Sequence, residues 1–203
     1  MDKLYMKKLL IATRNQGKFL EIKKALEDLP FDFLSLNKVK TIPKNFAVRE
    51  TGETFLENAI LKAKKFGEMT GLITLADDSG LEVEALGGRP GVFSSRYAKS
   101  DKDRNQKLLK ELKTTPWPKR DAQFRCVIAI FNPKNKKIET CEGVCQGKIN
   151  WQPKGKYGFG YDPIFFLPYL RKTTAQFKPE EKNKISHRGK ALKKARKILT
   201  RFL

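Results

Sequence analysis

The sequence predicts an α/β protein built on a mixed β-sheet, and three stretches carry that prediction. Leu9-Leu10-Ile11-Ala12 is a continuous apolar run that passes straight into a polar loop and a helical pattern, as a strand covered on both faces does in α/β folds. Leu72 to Leu75 is a second such run, and it leads to the paired carboxylates Asp77 and Asp78. Gln123 to Phe131 and Ile138 to Gln146 flank the turn formers Asn132-Pro133-Lys134-Asn135-Lys136, a hairpin signal that makes the sheet mixed and not purely parallel.

In chain order, Leu9 to Ala12 is the first strand, and Thr13-Arg14-Asn15-Gln16-Gly17-Lys18 opens the first helix. That helix keeps Phe19, Ile22, Ala25, Leu26 and Leu29 on one side until Pro30 stops it. Phe31 to Leu36 is a second strand, and Asn37 to Val48 a polar loop containing Pro43. Thr54-Phe55-Leu56-Glu57 matches a capping box, in which hydroxyl and carboxylate each satisfy a backbone N–H at the helix start. The helix it opens buries Phe55, Ala59, Ile60, Ala63 and Phe66, ends at Gly71, and leaves Lys62 and Lys65 on or near its polar side. Leu72 to Leu75 then brings Asp77 and Asp78 to the C-terminal end of a strand, where Ser79 and Gly80 begin a turn. Gly87 to Gly91 forms an irregular loop, and Asp101 to Leu112 an amphipathic helix through Leu108, Leu109 and Leu112. After the hairpin, Lys156 to Pro163 is an aromatic and glycine turn before the apolar run Ile164 to Leu167. Ser186 is the N-cap of a last helix, with Ala191, Leu192, Ala195, Ile198 and Leu199 inward and lysines outward.

A chain of 203 residues suits one domain, 1–203, in two lobes. Lysine and arginine total 43 against 22 acidic residues, and the net charge of +21 favours an anionic partner: nucleotide, nucleic acid or an acidic surface. The basic residues are spread over the whole chain, as on any lysine-rich surface. The acidic ones gather at Glu50, Glu53 and Glu57 and again from Asp77 to Glu84. Cys126, Cys141 and Cys145 sit in or beside apolar runs and read as buried thiols, and the one histidine, His187, is too far along the chain to complete a zinc site. Met1 to Arg14 holds only the short run Leu9 to Ala12, too little for a signal peptide or a membrane span. The expectation is a cytoplasmic protein with reduced thiols and no membrane partner.

Several stretches suit chemistry, each beside a plainer alternative. Asp77-Asp78-Ser79-Gly80 offers the oxygen ligands of a hard cation such as Mg2+, or a solvated turn. Thr13 to Lys18 forms a strand-to-helix junction whose N–H groups and dipole suit an anion. Lys18 opposes that dipole at a cost of roughly 0.3–1 kcal/mol, which a phosphate between them would remove; a surface lysine is the alternative. The loop is not a Walker A sequence. Glu57 is a cap or a metal ligand. Phe159 is a stacking face for a base or a core aromatic. His187 and Arg188, just after Lys182 and Lys184, form a donor-rich edge suited to base carbonyls and phosphates, or serve structure alone.

Thr13 to Lys18, Glu57-Asn58-Ala59, Ala76-Asp77-Asp78-Ser79-Gly80-Leu81, Phe159-Gly160-Tyr161-Asp162-Pro163, and Glu181-Lys182-Asn183 running to Ser186-His187-Arg188 occur in an order and spacing that cover nearly the whole chain. In these motifs the chain resembles the inosine triphosphate pyrophosphatase family, the HAM1/RdgB-like non-canonical purine nucleoside triphosphate pyrophosphatases. The resemblance implies an elongated mixed β-sheet flanked by helices, two lobes with a central active-site cleft, and a homodimer. It also implies Mg2+-dependent hydrolysis of ITP, dITP and XTP to the monophosphate and pyrophosphate, cleansing the nucleotide pool. By the same resemblance Thr13, Arg14, Asn15, Gln16, Gly17, Lys18 and Lys182 hold the triphosphate, and Glu57 and Asp78 hold the metal. Asp78 accepts the proton of the attacking water, Ser79 contacts substrate, Phe159, Gly160, Tyr161 and Asp162 line the base and sugar site, and His187 with Arg188 reads the base. Arg14 stands where the family often has glycine or another small residue.

Two other readings compete. A related pyrophosphatase of different base preference, such as a Maf-like enzyme, is opposed by Ser186-His187-Arg188. A basic, non-catalytic nucleic-acid-binding protein is supported by the charge and by Trp117, Tyr157 and Phe159, yet leaves Glu57 and Asp77-Asp78 unexplained.

Overall fold

β1 (Lys7–Ile11) pairs in parallel with β2 (Phe31–Ser35) on one side and with β3 (Ile73–Val83) on the other. Leu9, Leu10 and Ile11 are fully buried, as an apolar run between two neighbours and two covered faces must be. In this computed structural model, which describes residues 6–203, the sheet has seven strands in the order β2-β1-β3-β4-β5-β6-β7. The reading of the N-terminus as leaderless therefore lies, from Met1 to Tyr5, outside the described residues. The later strands are β4 (Asp121–Asn132), β5 (Lys137–Ile149), β6 (Phe165–Leu167) and β7 (Lys172–Thr173). β6 runs antiparallel to both β5 and β7, so the sheet is mixed, and helices flank it. They are α1 (Gln16–Leu26), α2 (Phe55–Thr70), α3 (Asp101–Glu111), α4 (Pro179–Ile185) and α5 (His187–Leu199).

The chain forms two compact units. The first takes in residues up to Asp78, Val127–Glu142 and Ala191–Leu203; the second takes in Ser79–Cys126 and Gly143–Lys190. In the first unit, Asn15 caps α1 by accepting from the Lys18 N–H at 3.0 Å, and α2 carries the expected capping box complete. Gly71 closes α2 in the left-handed conformation at φ 67°, which a side chain rarely adopts.

The turn expected from Ser79 does not form. β3 runs unbroken from Ile73 to Val83, so Asp77, Asp78, Ser79 and Gly80 are strand residues. Leu81 and Val83, both fully buried, continue the alternation beyond Gly80 and hold the segment extended. The parallel register with β1 covers only Ile73 to Leu75, and the Ala12 N–H donates to the Leu75 carbonyl at 2.8 Å as β1 ends. Asp77 and Asp78 thus lie beyond the C-terminal end of β1, the usual ligand side of a parallel pair, while their own strand continues.

In the second unit Leu81, Val83, Leu108, Leu112, Phe124, Tyr161, Ile164 and Phe165 share one core. The irregular loop after Gly87 passes into a 3-10 helix at Gly91–Arg96. α4 is a helix the sequence pattern did not announce; Pro179 in its first turn and Glu180 and Glu181 against its dipole explain its start. Ser186 then ends α4 and caps α5, its hydroxyl accepting from the Gly189 N–H at 3.0 Å as expected. The thiols of Cys126 and Cys145 are buried and that of Cys141 half-buried; burial raises the Cys141 pKa to about 11, partly offset by Lys194.

Arg120 is the polar centre of this unit and had no sequence signal. It is 1% exposed, donates to the carbonyls of Ile149 (2.8 Å), Leu112 (2.7 Å), Asn150 (3.1 Å) and Thr115 (3.3 Å), and stacks on Trp151 with Cζ 4.2 Å from the ring centroid. Its removal would take a donor from each of those carbonyls, that of Leu112 keeping the Thr115 N–H at 3.0 Å, and would end the stacking on Trp151. Arg120→Ala is expected to lower unfolding free energy by roughly 3 kcal/mol or more, since each orphaned buried polar group costs ~1–3 kcal/mol. Urea unfolding followed by fluorescence checks this, and an unchanged midpoint would show the carbonyls to be satisfied otherwise.

Candidate active site

The chemistry-bearing side chains form two groups, one in each unit. In the first unit, Lys18 in the opening turn of α1 forms an ion pair with Asp77, Nζ to Oδ2 2.9 Å, with the Asp77 side chain almost wholly buried. Lys62 on α2 sits between two carboxylates, 2.8 Å from Asp78 Oδ1 and 2.8 Å from Glu50 Oε1. A buried carboxylate without a cation is costly, so each of the two aspartates on β3 takes one lysine from a neighbouring helix. Burial works against the Lys62 ammonium, but Asp78, Asp77 and Glu50 together raise its pKa above the ordinary value. Burial raises the Asp78 pKa, and the opposing pull of Lys62 and Lys18 does not cancel it. Asp78 is therefore a carboxylate with increased proton affinity, and among the described residues its hydrogen bond, to Lys62, is made by Oδ1 and none by Oδ2.

The placement of Lys62 corrects the sequence reading. Lys62 follows Ala59 by three residues and precedes Phe66 by four, which puts it toward the inner face of α2, half-buried with its ammonium at the carboxylates. The same spacing was available in the sequence. Glu50 had appeared there only as one of several acidic residues, and no local pattern ties it to Asp78; the shared lysine does.

Glu57 is exposed and committed to the helix start. Its Oε2 accepts from the N–H groups of Glu53 (2.7 Å) and Thr54 (3.0 Å), and its own N–H donates to Thr54 Oγ1 at 3.2 Å. The backbone bonds from Thr54 and Glu53 lower its pKa from the usual 4.5. With a depressed folded value, the cap stabilises above pH 4.5 and loses that contribution as pH falls through the folded pKa.

The residues from Thr13 to Lys18 divide. Thr13 Oγ1 accepts from the Asn15 N–H at 3.2 Å, and the amides of Gln16 and Gly17 open α1 without intrahelical partners, as at any helix start. Arg14 turns to another task. Its guanidinium donates to the Phe46 carbonyl (2.7 and 3.2 Å), the Pro43 carbonyl (3.2 Å) and Asn37 Oδ1 (3.1 Å), binding the loop 37–46 to the end of β1.

In the second unit, Asp162 organises the aromatic turn. It is buried; its Oδ2 accepts from the Phe159 N–H (2.9 Å) and from Lys182 Nζ (2.6 Å), and its Oδ1 accepts from the Thr174 hydroxyl (2.9 Å). Lys182, also buried, lies 4.7 Å from the Phe159 ring centroid. Arg188 donates to Ser79 Oγ at 2.9 Å and has Cζ 5.6 Å from the same ring. Tyr161 is buried, its hydroxyl donating to the Ser94 carbonyl at 3.0 Å, and His187 stacks on Phe124 at 4.6 Å and 13°. Ser79, Phe159, Lys182 and Arg188 are brought together, whereas His187 and Tyr161 are held by core contacts.

A sequence model of the Ham1 family matches residues 9–198. The chain belongs to the Ham1 family. Among its relatives, a dITP/XTP pyrophosphatase from Desulforamulus reducens is 49% identical over 198 residues, covering 96% of each chain. The structure of a HAM1 protein from Coxiella burnetii superposes with TM-score 0.87 at 44% identity, over 97% of this chain and 100% of that one. The Staphylococcus aureus Ham1 protein gives TM-score 0.85 at 40% identity over the same shares. At such identities the seven-stranded mixed sheet is that of the Ham1 structures.

In this Ham1 chain the role of Arg14 is open to direct test. Arg14→Ala is expected to release the loop 37–46, so that trypsin cuts after Lys38, Lys40 or Lys44 about tenfold faster, one lost ~1.4 kcal/mol of local restraint being a factor of ten in an opening equilibrium. Limited proteolysis with mass mapping checks it. Cleavage at the wild-type rate would mean that the loop is held by other contacts.

Proposed function

We propose that this protein hydrolyses deaminated purine nucleoside triphosphates, ITP, dITP and XTP, to the monophosphate and pyrophosphate. The observation that carries the proposal is Lys62 bridging Asp78 and Glu50, which concentrates two carboxylates and a half-buried cation beside Lys18 and the start of α1. The names of curated Ham1 relatives, dITP/XTP pyrophosphatases, support the substrate class.

A divalent metal fits these residues. Among the described residues no three acidic, histidine or cysteine side chains gather into a closed cage. Mg2+ does not ask for one: it commonly uses one or two carboxylates, completing its shell with water and substrate phosphates. The donors here are all oxygens, and Asp78 keeps Oδ2 open. Glu50 and Asp78 would hold the ion, with Glu57 the alternative if its second oxygen reaches it. Bound there, it would neutralise charge on the phosphoryl oxygens.

The chain's own residues supply the rest. Asp78, with its raised pKa, takes the proton of the water that attacks the α phosphorus. The bond from that phosphorus to the bridging oxygen breaks, and pyrophosphate leaves toward Lys18 and the first-turn amides of α1, a cationic end suited to it. Thr13, Asn15, Gln16 and Gly17 shape that end, while Arg14 holds the neighbouring loop. Ser79, Phe159 and Arg188 serve the nucleoside. Arg188 matches the 6-oxo acceptor of hypoxanthine or xanthine and opposes the 6-amino donor of adenine, and Lys182, Asp162, Tyr161, Gly160 and His187 set the shape around it. A homodimer is proposed on the exposed Phe93, Trp151 and Tyr169, apolar surface that a second copy would cover. Cytoplasmic residence is proposed on the three free thiols, and no helix among the described residues is long and apolar enough to cross a membrane.

The deciding experiment is hydrolysis of ITP in heavy-oxygen water, with label expected in IMP. Label in inorganic phosphate beside IDP would defeat the reaction proposed. The carboxylates separate by substitution. Glu50→Gln is expected to raise the Mg2+ needed for half-maximal rate about 10–100-fold, while Glu57→Gln, whose amide oxygen still caps Thr54, keeps near wild-type rates. The reverse pattern in a Mg2+ titration would return the metal role to Glu57.

A further inference from the structure

Phe159 lies between two glycines in left-handed conformations, Gly158 at φ 80° and Gly160 at φ 64°. Such a segment has little intrinsic stiffness, yet its aromatic face has to stay in one place if a base is to stack on it. On one side the restraint is Asp162, which receives the Phe159 N–H; a Cβ on Gly158 would lie 2.1 Å from that carboxylate. On the other side the restraint comes from α3. Asp101 Oδ2 accepts from the Gly160 N–H at 2.7 Å, and Asn105 Nδ2 donates to the Gly160 carbonyl at 3.0 Å.

We propose that Asp101 and Asn105 are positioning residues for the base site, an acceptor and a donor one helical turn apart that together grip both backbone groups of Gly160 and so set the Phe159 face. The proposal rests on the reading of that turn as the base site. The spacing has a physical logic: residues four apart share one helix face, and here that face presents the complement of a single residue's N–H and C=O. Neither side chain is taken up by capping, because Ser100 caps α3 by accepting from the Asp103 N–H at 3.1 Å. Arg104 pairs with Asp101 and donates to the Ser95 carbonyl at 2.8 Å, fixing the carboxylate that faces Gly160. Tyr161, next in the turn, donates to the Ser94 carbonyl, and the Ser94 hydroxyl accepts from the Leu81 N–H at 2.9 Å. A hydrogen-bonded path thereby runs from the aromatic turn to β3 two residues beyond Ser79.

The test uses the full chain with ITP as substrate and two competitive inhibitors, IMP, which carries a base, and tripolyphosphate, which does not. Asp101 has a half-exposed side chain, so Asp101→Ala is expected to fold. Its KM for ITP and its inhibition constant for IMP are expected to rise about tenfold, the equivalent of one well-made hydrogen bond, with kcat within about twofold and tripolyphosphate inhibition unchanged. Asp101→Asn, whose amide oxygen can still accept from Gly160, is expected to recover most of the loss. Equal weakening toward IMP and tripolyphosphate, an unchanged IMP constant in Asp101→Ala, or no recovery in Asp101→Asn would each overturn the positioning role. Failure of the wild-type protein to turn over ITP or bind IMP would instead bring down the base-site reading on which it rests.

Discussion

Two adjacent carboxylates inside a strand are the constraint around which the first unit is arranged. Alternation along β3 points Asp77 and Asp78 to opposite faces, so each meets a different cation in direct contact. Lys18 answers Asp77 from α1 and Lys62 answers Asp78 from α2. Removing either lysine would leave a largely desolvated carboxylate without its closest cation, a larger penalty than losing a surface ion pair. The starts of both helices are correspondingly well determined, by Asn15 in one case and by Thr54 with Glu57 in the other. Burial, against the pull of both lysines, leaves Asp78 with a raised pKa.

The second unit uses the same device for a different end. Asp162 and Lys182 are both about 4% exposed and 2.6 Å apart, and the pair is satisfied further by Thr174 and the Phe159 N–H. A lysine so placed acts on the turn that carries Phe159 more than on any distant phosphate. The distinction matters for reading motifs. A basic residue within a sequence motif can owe its place to a buried carboxylate, and only the location of that carboxylate tells the two cases apart.

Much of the fold was legible because its signals are local. The apolar run Leu9 to Ala12, the capping box at Thr54, the hairpin turn at Asn132 to Lys136 and the cap at Ser186 each depend on residues within a few positions of one another, and each stands where the pattern put it. α4 escaped because it is short, and the length of β3 because Ser79 and Gly80 look like turn formers until Leu81 and Val83 are seen to be buried.

The sequence by itself determined the α/β class, the mixed sheet, the helix starts and the motif order that marks the Ham1 family, since these rest on periodicity, caps and spacing along the chain. Tertiary structure alone decided which charges meet. Glu50 reaches Asp78 through Lys62, Arg14 turns to the loop 37–46, Arg120 gathers carbonyls from both sides of a hairpin-containing stretch, and Asp101 with Asn105 takes hold of Gly160. Each joins residues separated by tens of positions or by a turn of chain. A charged side chain carries no mark of its partner, and burial, which makes the partner necessary, exists only once the core has formed.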